Sequence, residues 1–205
     1  MAKYAIPAVV LVGGKGSRMG GIDKPLLTLA GRPLLDHILE RLRPQVSAIA
    51  LATPRDPSLY SGYGLPLLPD PVSDQGPVIG LASALAWAST HHPSATHVAL
   101  LAGDTPFLPA DLIERLAREI RDEASCIFAK SNEQIHYSTG LWPILSQQKR
   151  ELDFYQSRDR SLKGLALKIG VHVVDWPDKD DSFFNINTPE DLARAEERVN
   201  RLAPR

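Results

Sequence analysis

The sequence AVVLVGGKGSRMGGIDKPLL, residues Ala8–Leu27, joins an apolar run to a loop that is rich in glycine and cations. The apolar part, Ala8–Val12, is typical of a strand buried on both faces. The loop behind it holds five glycines together with Lys15, Arg18 and Lys24. Backbone without a Cβ can approach an anion closely and present its N–H groups, while the cations neutralise charge. The stretch therefore predicts a site for a nucleoside triphosphate.

Neither familiar phosphate-binding motif matches this loop. No Gly-Lys-Ser/Thr closes it, as a P-loop requires, and its glycines miss the G-x-G-x-x-G spacing. The alternative interpretation is a flexible surface loop with solvated cations, but three cations among five glycines behind a strand argue against it. A turn at Ala30–Pro33 and a helix over Leu34–Arg43 are predicted to follow, since apolar residues recur there at helical spacing.

Length and composition bound the remaining possibilities. A chain of 205 residues fits a single domain, 1–205, with one sizeable core. A formal net charge of −1 gives no basic field for a nucleic acid. The single cysteine, Cys126, excludes a disulfide framework and is predicted to be a core residue. No apolar run approaches the length of a membrane span, so we expect a cytoplasmic protein without a membrane partner.

Short apolar runs alternate with helical patterns along the whole chain, which predicts an α/β fold with a mostly parallel sheet. A further segment, Ile135–Trp142, has an ambiguous strand pattern and would make part of the sheet mixed if it is antiparallel. The last helix has a distinct start, with Thr188 as N-cap. The predicted strands are Ala8–Val12, Val46–Ala52, Leu65–Leu68, His97–Ala102, Ser125–Ala129 and Val171–Val174. The predicted helices are Leu34–Arg43, Val78–Ser89, Ala110–Asp122, Ile144–Gln156, Leu162–Ile169 and Pro189–Leu202.

In an open α/β sheet ligands bind beyond the carboxyl ends of the strands, so the residues that follow each apolar run belong together. Asp104 follows the run HVALLA after one intervening residue, Gly103, which is expected to leave room beside it for a phosphate or a metal ion. A carboxylate in that position suits Mg²⁺, which takes one or two carboxylates plus phosphate oxygens. The alternative is a turn or helix cap at Asp104, but the neighbouring cationic loop favours the metal.

Other strand ends offer weaker candidates. Asp70 lies between two prolines and is either a ligand contact or a turn residue. The segment Gln75–Gly80 opens a helix whose free N–H groups suit a base edge or a phosphate, or it is an ordinary helix start. Asn185 and Asn187 would point to the same side of an extended segment, although spacing alone favours turn-forming asparagines. His136 is the one histidine retained as a candidate substrate contact.

On these residues the sequence resembles the molybdenum cofactor guanylyltransferases of the nucleotidyltransferase superfamily. The resemblance covers nearly the whole chain. It rests on LVGGKGSRMGGIDKPLL at 11–27, LPD at 68–70, GPVIG at 76–80, GDTP at 103–106 and FNINTPEDL at 184–192.

The resemblance implies a Rossmann-like three-layer nucleotidyltransferase fold and transfer of GMP from GTP to the terminal phosphate of molybdopterin (Mo-molybdopterin), with release of pyrophosphate. It gives catalytic roles to Arg18 and Lys24 on the phosphates and to Asp104 as the ligand of Mg²⁺. It places Asn185 and Asn187 near the metal or the pterin phosphate. The partners it implies are other molybdenum cofactor biosynthesis proteins and molybdoenzyme chaperones. The residues it assigns to GTP are Leu11, Val12, Gly13, Gly14, Lys24, Asp70, Gly80 and Asp104.

Three positions depart from the family pattern. Val12 replaces an alanine and is expected to add bulk where the base lies. An asparagine found after the second strand is replaced near Ala52–Thr53, and Ala102–Gly103 stands where the family has Cys or Pro-Cys. These departures leave open a CTP-using relative acting on molybdopterin. An enzyme that couples a nucleotide to a sugar or polyol phosphate is a second alternative, and a nucleotide-binding regulator without turnover is a third.

Overall fold

The computed structural model describes residues 5–12, 23–53, 56–69, 77–144, 161–176 and 181–202. Its strands are β1 (Pro7–Leu11), β2 (Thr28–Leu29), β3 (Arg32–Pro33), β4 (Ala48–Thr53), β5 (Leu67–Pro69), β6 (His97–Ala102), β7 (Cys126–Ser131), β8 (Gln134–Pro143) and β9 (Val171–Asp175). Its α-helices are α1 (Leu34–Leu42), α2 (Pro77–His91), α3 (Leu112–Arg118), α4 (Leu162–Ile169) and α5 (Pro189–Leu202). Short 3₁₀ helices cover Lys24–Leu26, Arg43–Gln45 and Pro57–Tyr63.

Seven strands form one sheet in the order β5-β4-β1-β6-β8-β7-β9. β5, β4, β1 and β6 are parallel to one another, β8 is antiparallel to both of its neighbours, and β9 is parallel to β7. The predicted mostly parallel, partly mixed α/β sheet is therefore confirmed.

The antiparallel strand arises from a tight hairpin between β7 and β8. Asn132 and Glu133 connect Ser131 to its partner Gln134, and both have positive φ, 47° and 63°. Two consecutive left-handed residues match the right-handed twist of a hairpin, and asparagine tolerates that conformation. The chain therefore folds straight back here, so that β8 lies between β6 and β7.

The sheet separates two apolar layers, because alternate residues of its strands face opposite sides. On one side, residues of α1 and α3 belong to the same apolar cluster as Ala8 and Val10 of β1; on the other, residues of α2 and α4 cluster with Val9. Cys126 is buried in this second layer, as predicted. This gives the expected three-layer arrangement.

Most predicted helices are confirmed, and one is shorter than predicted. The helix expected over Ala110–Asp122 covers only Leu112–Arg118. Asp111 has non-helical φ and ψ, and the Asp122 carboxylate accepts a hydrogen bond from Ala124 N at 2.8 Å. A side-chain turn of this kind competes with helix. The helix predicted over Ile144–Gln156 lies, apart from Ile144, outside the described residues.

The carboxyl ends of β1, β4 and β6 lie at one edge of the sheet, since these strands are parallel and adjacent. Within β6, only His97–Leu100 pair with β8. Toward the same edge β8 has a bulge. Phe128 and Lys130 of β7 are two residues apart, but their partners in β8, Gly140 and Ile135, are five residues apart. The sheet therefore opens beside the residues that follow β6.

We predict that Gly140→Ala destabilises the protein, because a Cβ there would lie 2.5 Å from Ile127 O and against the Phe128 ring. We expect the free energy of unfolding, measured by urea denaturation, to fall by about 1–3 kcal/mol. Gly62→Ala is the matched control, since a Cβ at Gly62 meets nothing within 4 Å. An equal midpoint for both variants would contradict the tight packing of β7 on β8.

Candidate active site

Lys24 extends from the start of the 3₁₀ helix that leads into the β2–β3 hairpin. Its ammonium donates to Asp104 Oδ2 at 3.3 Å and to Asn187 Oδ1. The side chains of Lys24 and Asp104 are only 19% and 18% exposed, so this ion pair is screened less than a surface pair. Segments that are far apart in the sequence thus meet at one cation.

The turn after β6 holds Asp104 against β1 and the 3₁₀ helix. Gly103 N donates to Leu11 O at 3.1 Å. A Cβ on Gly103 would lie 2.6 Å from Leu11 O and 2.8 Å from Pro25 Cγ. The expectation that Gly103 leaves room for a phosphate or metal is therefore wrong: the protein's own backbone and a proline ring fill that space. Glycine is needed because Lys24 and Asp104 approach each other through this contact.

The segment that carries the two asparagines docks directly on this turn. Ile186 N donates to Asp104 O at 2.9 Å, and Thr105 Oγ1 donates to Asn185 Oδ1 at 3.0 Å. Ile186 is fully buried, whereas Asn185 and Asn187 on either side of it are exposed. An extended segment places alternate residues on opposite sides, as predicted for this pair. The amides thus face the edge of the sheet where Asp104 lies.

The start of α5 fixes the end of the asparagine segment. Thr188 Oγ1 accepts from Asp191 N at 3.2 Å, and Asp191 Oδ2 accepts from Thr188 N and Asn187 N, each at 3.0 Å. This reciprocal pair is a capping box with aspartate in the acidic position. The predicted N-cap at Thr188 is confirmed, and the same bonds orient Asn187.

Burial raises the pKa of the Asp104 carboxyl above its usual range, although nearby Lys24 acts in the opposite direction. Taking a carboxylate out of water disfavours its charged form. The folded protein therefore holds a carboxylate that gains from a second cation.

The donor set suits a hard divalent cation. The Asp104 carboxylate and the Asn187 amide oxygen already converge on a cation, the Lys24 ammonium. Within the described residues no group of three or more His, Cys, Asp or Glu side chains could hold a metal by itself. A metal here would complete its shell with phosphate oxygens and water, as Mg²⁺ does at nucleotide sites.

The structure places the remaining predicted residues as follows. The Val12 side chain is completely buried in the core layer of α1 and α3, so its added bulk lies in the core and the expectation that it crowds the base is wrong. Leu11 faces the other layer, and a Cβ on Gly80 would lie 2.5 Å from Leu11 Cδ2, so Gly80 lets α2 approach β1. The predicted residues outside the described part of the chain are Gly13, Gly14, Arg18, Asp70 and Gln75–Gly76.

His136 supports the asparagine segment from beside it. Its ring stacks on Phe183 with centroids 4.8 Å apart, and its Nε2 lies 2.8 Å from Ser131 Oγ. Burial lowers the pKa of His136, so the ring is uncharged at neutral pH. The His136 side chain thus packs against Phe183, two residues before Asn185.

Sequence reasoning missed Asp23, Tyr60 and Thr105. Asp23 is buried beside Lys24, and Tyr60 OH donates to its Oδ2 at 3.4 Å. The adjacency of Asp23 to the catalytic lysine candidate is a signal that was present in the sequence. No such signal marked Tyr60 or Thr105, because a hydroxyl residue that becomes buried has no distinctive sequence pattern.

A family model and a relative of known name each match most of this sequence. The family model described as MobA-like NTP transferase domain matches residues 8–165. A molybdenum cofactor guanylyltransferase of Rhodopseudomonas palustris (strain BisB5) is 40% identical over 195 residues, which is 94% of this chain and 93% of the relative.

Two solved structures show the same fold at lower identity. The molybdopterin-guanine dinucleotide biosynthesis protein A of Archaeoglobus fulgidus superposes with a TM-score of 0.75 at 23% identity, covering 96% of this chain and all of the other. A protein of Mycobacterium tuberculosis H37Rv, Rv0371C, solved in complex with manganese, has a TM-score of 0.63 at 18% identity, covering 94% and 98%. Among the described helices, none combines the length and apolarity needed to cross a membrane.

We predict that Asp104→Asn raises the Tm of the protein without nucleotide or metal by on the order of 3 °C at pH 7. Because the pKa of Asp104 is raised in the folded state, protonated Asp104 contributes fully to the free energy of unfolding below the pKa of the unfolded state. This contribution is lost as the pH rises through the pKa of the folded state. The difference between variant and wild type should therefore grow from pH 4 upward and then level off, as measured by thermal melting in EDTA.

Glu197→Gln is the control for this measurement, because Glu197 is exposed on α5. We expect this variant to follow wild type across the same pH range. A lower Tm of Asp104→Asn at pH 7 would mean that the ion pair with Lys24 outweighs the cost of burying the carboxylate.

Proposed function

Because the chain belongs to the MobA-like NTP transferase family and is a nucleotidyltransferase, we propose that it transfers GMP from GTP to the terminal phosphate of molybdopterin. A phosphate oxygen of molybdopterin attacks the α-phosphorus of GTP, the bond between the α-phosphorus and the α,β-bridging oxygen breaks, and pyrophosphate leaves. The product is the guanine dinucleotide form of the cofactor. The proposal treats 1–205 as one nucleotidyltransferase domain, since one seven-stranded sheet contains both β1 and β9, the first and last of the described strands.

The observation that carries the proposal is the convergence of Lys24, Asp104 and Asn187 at the carboxyl edge of the sheet. Phosphoryl-type transfer needs positioning and charge neutralisation more than a protein nucleophile. The cluster offers a cation, a carboxylate and an amide within a few ångströms. The substrate's own phosphate supplies the nucleophile.

Each residue has a distinct role in this proposal. Lys24 neutralises the charge that develops on the α-phosphoryl group and on the leaving pyrophosphate. Asp104 would hold Mg²⁺, and Asn185 and Asn187 would lie near the metal or the pterin phosphate. The metal, when bound, neutralises phosphate charge and lowers the repulsion between the two substrates.

Lys24 must change partners during binding. Its ammonium lies against the same Asp104 carboxylate that would hold the metal. Two cations on one carboxylate oxygen repel each other, whereas the phosphates of GTP offer the ammonium a new anion. Metal binding and movement of Lys24 onto the nucleotide would therefore occur together.

The glycine loop supplies the rest of the nucleotide site. The residues that the resemblance assigns to the nucleotide site, within the loop and outside it, are Leu11, Val12, Gly13, Gly14, Arg18, Asp70 and Gly80. Since the Val12 side chain lies in the core, its contribution to GTP binding would come from its backbone. Arg18 would contact the triphosphate, and Asp70 would contact GTP.

Guanine is favoured over cytosine because the curated relative at 40% identity is named as a guanylyltransferase. The alternatives are a CTP-using enzyme acting on molybdopterin, or one that couples a nucleotide to a sugar or polyol phosphate. A partner that delivers molybdopterin and a molybdoenzyme chaperone that receives the product belong to the proposal, as does a cytoplasmic location.

The nucleotide preference is tested by thermal melting with Mg²⁺ and either GTP or CTP. A ligand that binds only the folded state raises the apparent Tm, so we expect GTP to raise it more than CTP. The acceptor is then tested by pyrophosphate release from GTP, which should require molybdopterin. A larger shift with CTP, or release with a sugar phosphate in place of molybdopterin, would refute the corresponding half of the proposal.

We predict that Lys24→Ala and Asp104→Ala each lower the rate of GMP transfer by about 10²- to 10³-fold, because each removes one electrostatic partner of the reacting phosphates. The rates are compared by pyrophosphate release under saturating GTP. Lys168→Ala is the control, since Lys168 is an exposed cation on α4. A wild-type rate in Asp104→Ala would refute the metal assignment.

A further inference from the structure

The C-terminal helix α5 contacts both loops that carry the metal-site residues, and one arginine reaches them at the same time. Arg198 Nη1 donates to Asp181 O at 2.9 Å. The Arg198 Cζ atom lies 3.9 Å from the centroid of the Phe107 ring. Phe107 follows Asp104 by three residues, and Asp181 precedes Asn185 by four. A single guanidinium therefore joins the Asp104 turn to the asparagine segment.

Arginine suits this position for geometric reasons. A guanidinium is planar, so its face can lie on an aromatic ring while its edge donates hydrogen bonds. Phe107 is only 5% exposed, and Arg198 is half-buried over it. Desolvation of this kind strengthens both a cation–π contact and a hydrogen bond from a charged donor.

Two further contacts show that α5 supports the whole site. Glu196 Oε1 accepts from Ala30 N at 2.8 Å, in the hairpin that follows Lys24. Asp191 Oδ2 accepts from Asn187 N at 3.0 Å. The same helix thus holds the lysine segment, the Asp104 turn and the asparagine segment at fixed distances from one another.

We propose that Arg198 is a positioning residue, which sets the distance between the Asp104 carboxylate and the amides of Asn185 and Asn187 by holding Phe107 and the Asp181 carbonyl. In this proposal Arg198 acts through these two groups. The inference rests on the proposed function, because the distance matters when Asp104 and the amides share a metal ion and a phosphate.

The test compares Arg198→Met with wild type. Methionine keeps an unbranched stem over Phe107 but removes the donor and the charge. We measure the Kd of Mn²⁺ by the electron paramagnetic resonance signal of the free ion, in the presence of α,β-methylene GTP, which binds but does not transfer. We expect the Kd to rise about tenfold, the size of effect seen when a supporting residue of a metal site is removed.

Kinetics separate positioning from loss of stability. We expect kcat to fall about tenfold while KM for GTP stays within about twofold, since the nucleotide contacts are elsewhere. Arg198→Lys, which keeps a donor and a charge but not the planar face, should give a Mn²⁺ Kd between those of wild type and Arg198→Met. Arg201→Met, at an exposed arginine one turn further along α5, should leave Kd, kcat and KM unchanged.

A lowered Tm with a wild-type Mn²⁺ Kd in Arg198→Met would overturn the inference, because Arg198 would then only stabilise the fold. If Arg198→Met does not fold, Arg198→Lys decides: a raised Kd supports the inference and a wild-type Kd overturns it. The proposed function fails separately, when wild type binds Mn²⁺ and GTP analogue but releases no pyrophosphate with molybdopterin.

Discussion

The site depends on a small apolar cluster that lies apart from the two main core layers. Leu27, Leu29 and Leu34 come from the segment behind Lys24, Phe107 from the turn of Asp104, and Ile186 from between the two asparagines. Ala195 of α5 completes the contact. Burying each large side chain stabilises the fold by about 1.5–3 kcal/mol. Each polar residue of the site is therefore fixed by an apolar neighbour in its own segment, and these neighbours pack on one another.

This arrangement explains how a partly buried ion pair can persist. Lys24 and Asp104 are both mostly removed from water, and burial raises the pKa of the Asp104 carboxyl. Such a pair is weak evidence for stability, because desolvation offsets the attraction. The apolar cluster and the capping box of α5 supply the order that the pair itself does not. The surrounding packing therefore holds the two charges in place. It also offsets the free-energy cost of burying them.

The sequence predicted the elements and the edge of the sheet where the site forms, because these follow from periodicity and from parallel strand topology. It did not predict which atoms meet. Lys24 and Asn187 are 163 positions apart, so no local sequence pattern indicates that they are in contact. Gly103 was misinterpreted for the same reason, since only the fold brings Leu11 O and Pro25 against it. Arg198 carried no signal, because contacts with a main-chain carbonyl and an aromatic ring leave no pattern in the sequence.

Three of the polar groups to which the proposal gives roles in substrate binding form hydrogen bonds with one another. The Lys24 ammonium contacts the Asp104 carboxylate and the Asn187 amide oxygen, so no one of these three is left without a partner. In the proposed reaction these partners would be exchanged: Asp104 would hold the metal, and a substrate phosphate would take the Lys24 ammonium. An exchange leaves the surrounding main chain where α5 and the apolar cluster hold it. In the proposed reaction the groups that would face the phosphates are thereby organised in advance, which is the condition under which fixed charges accelerate transfer.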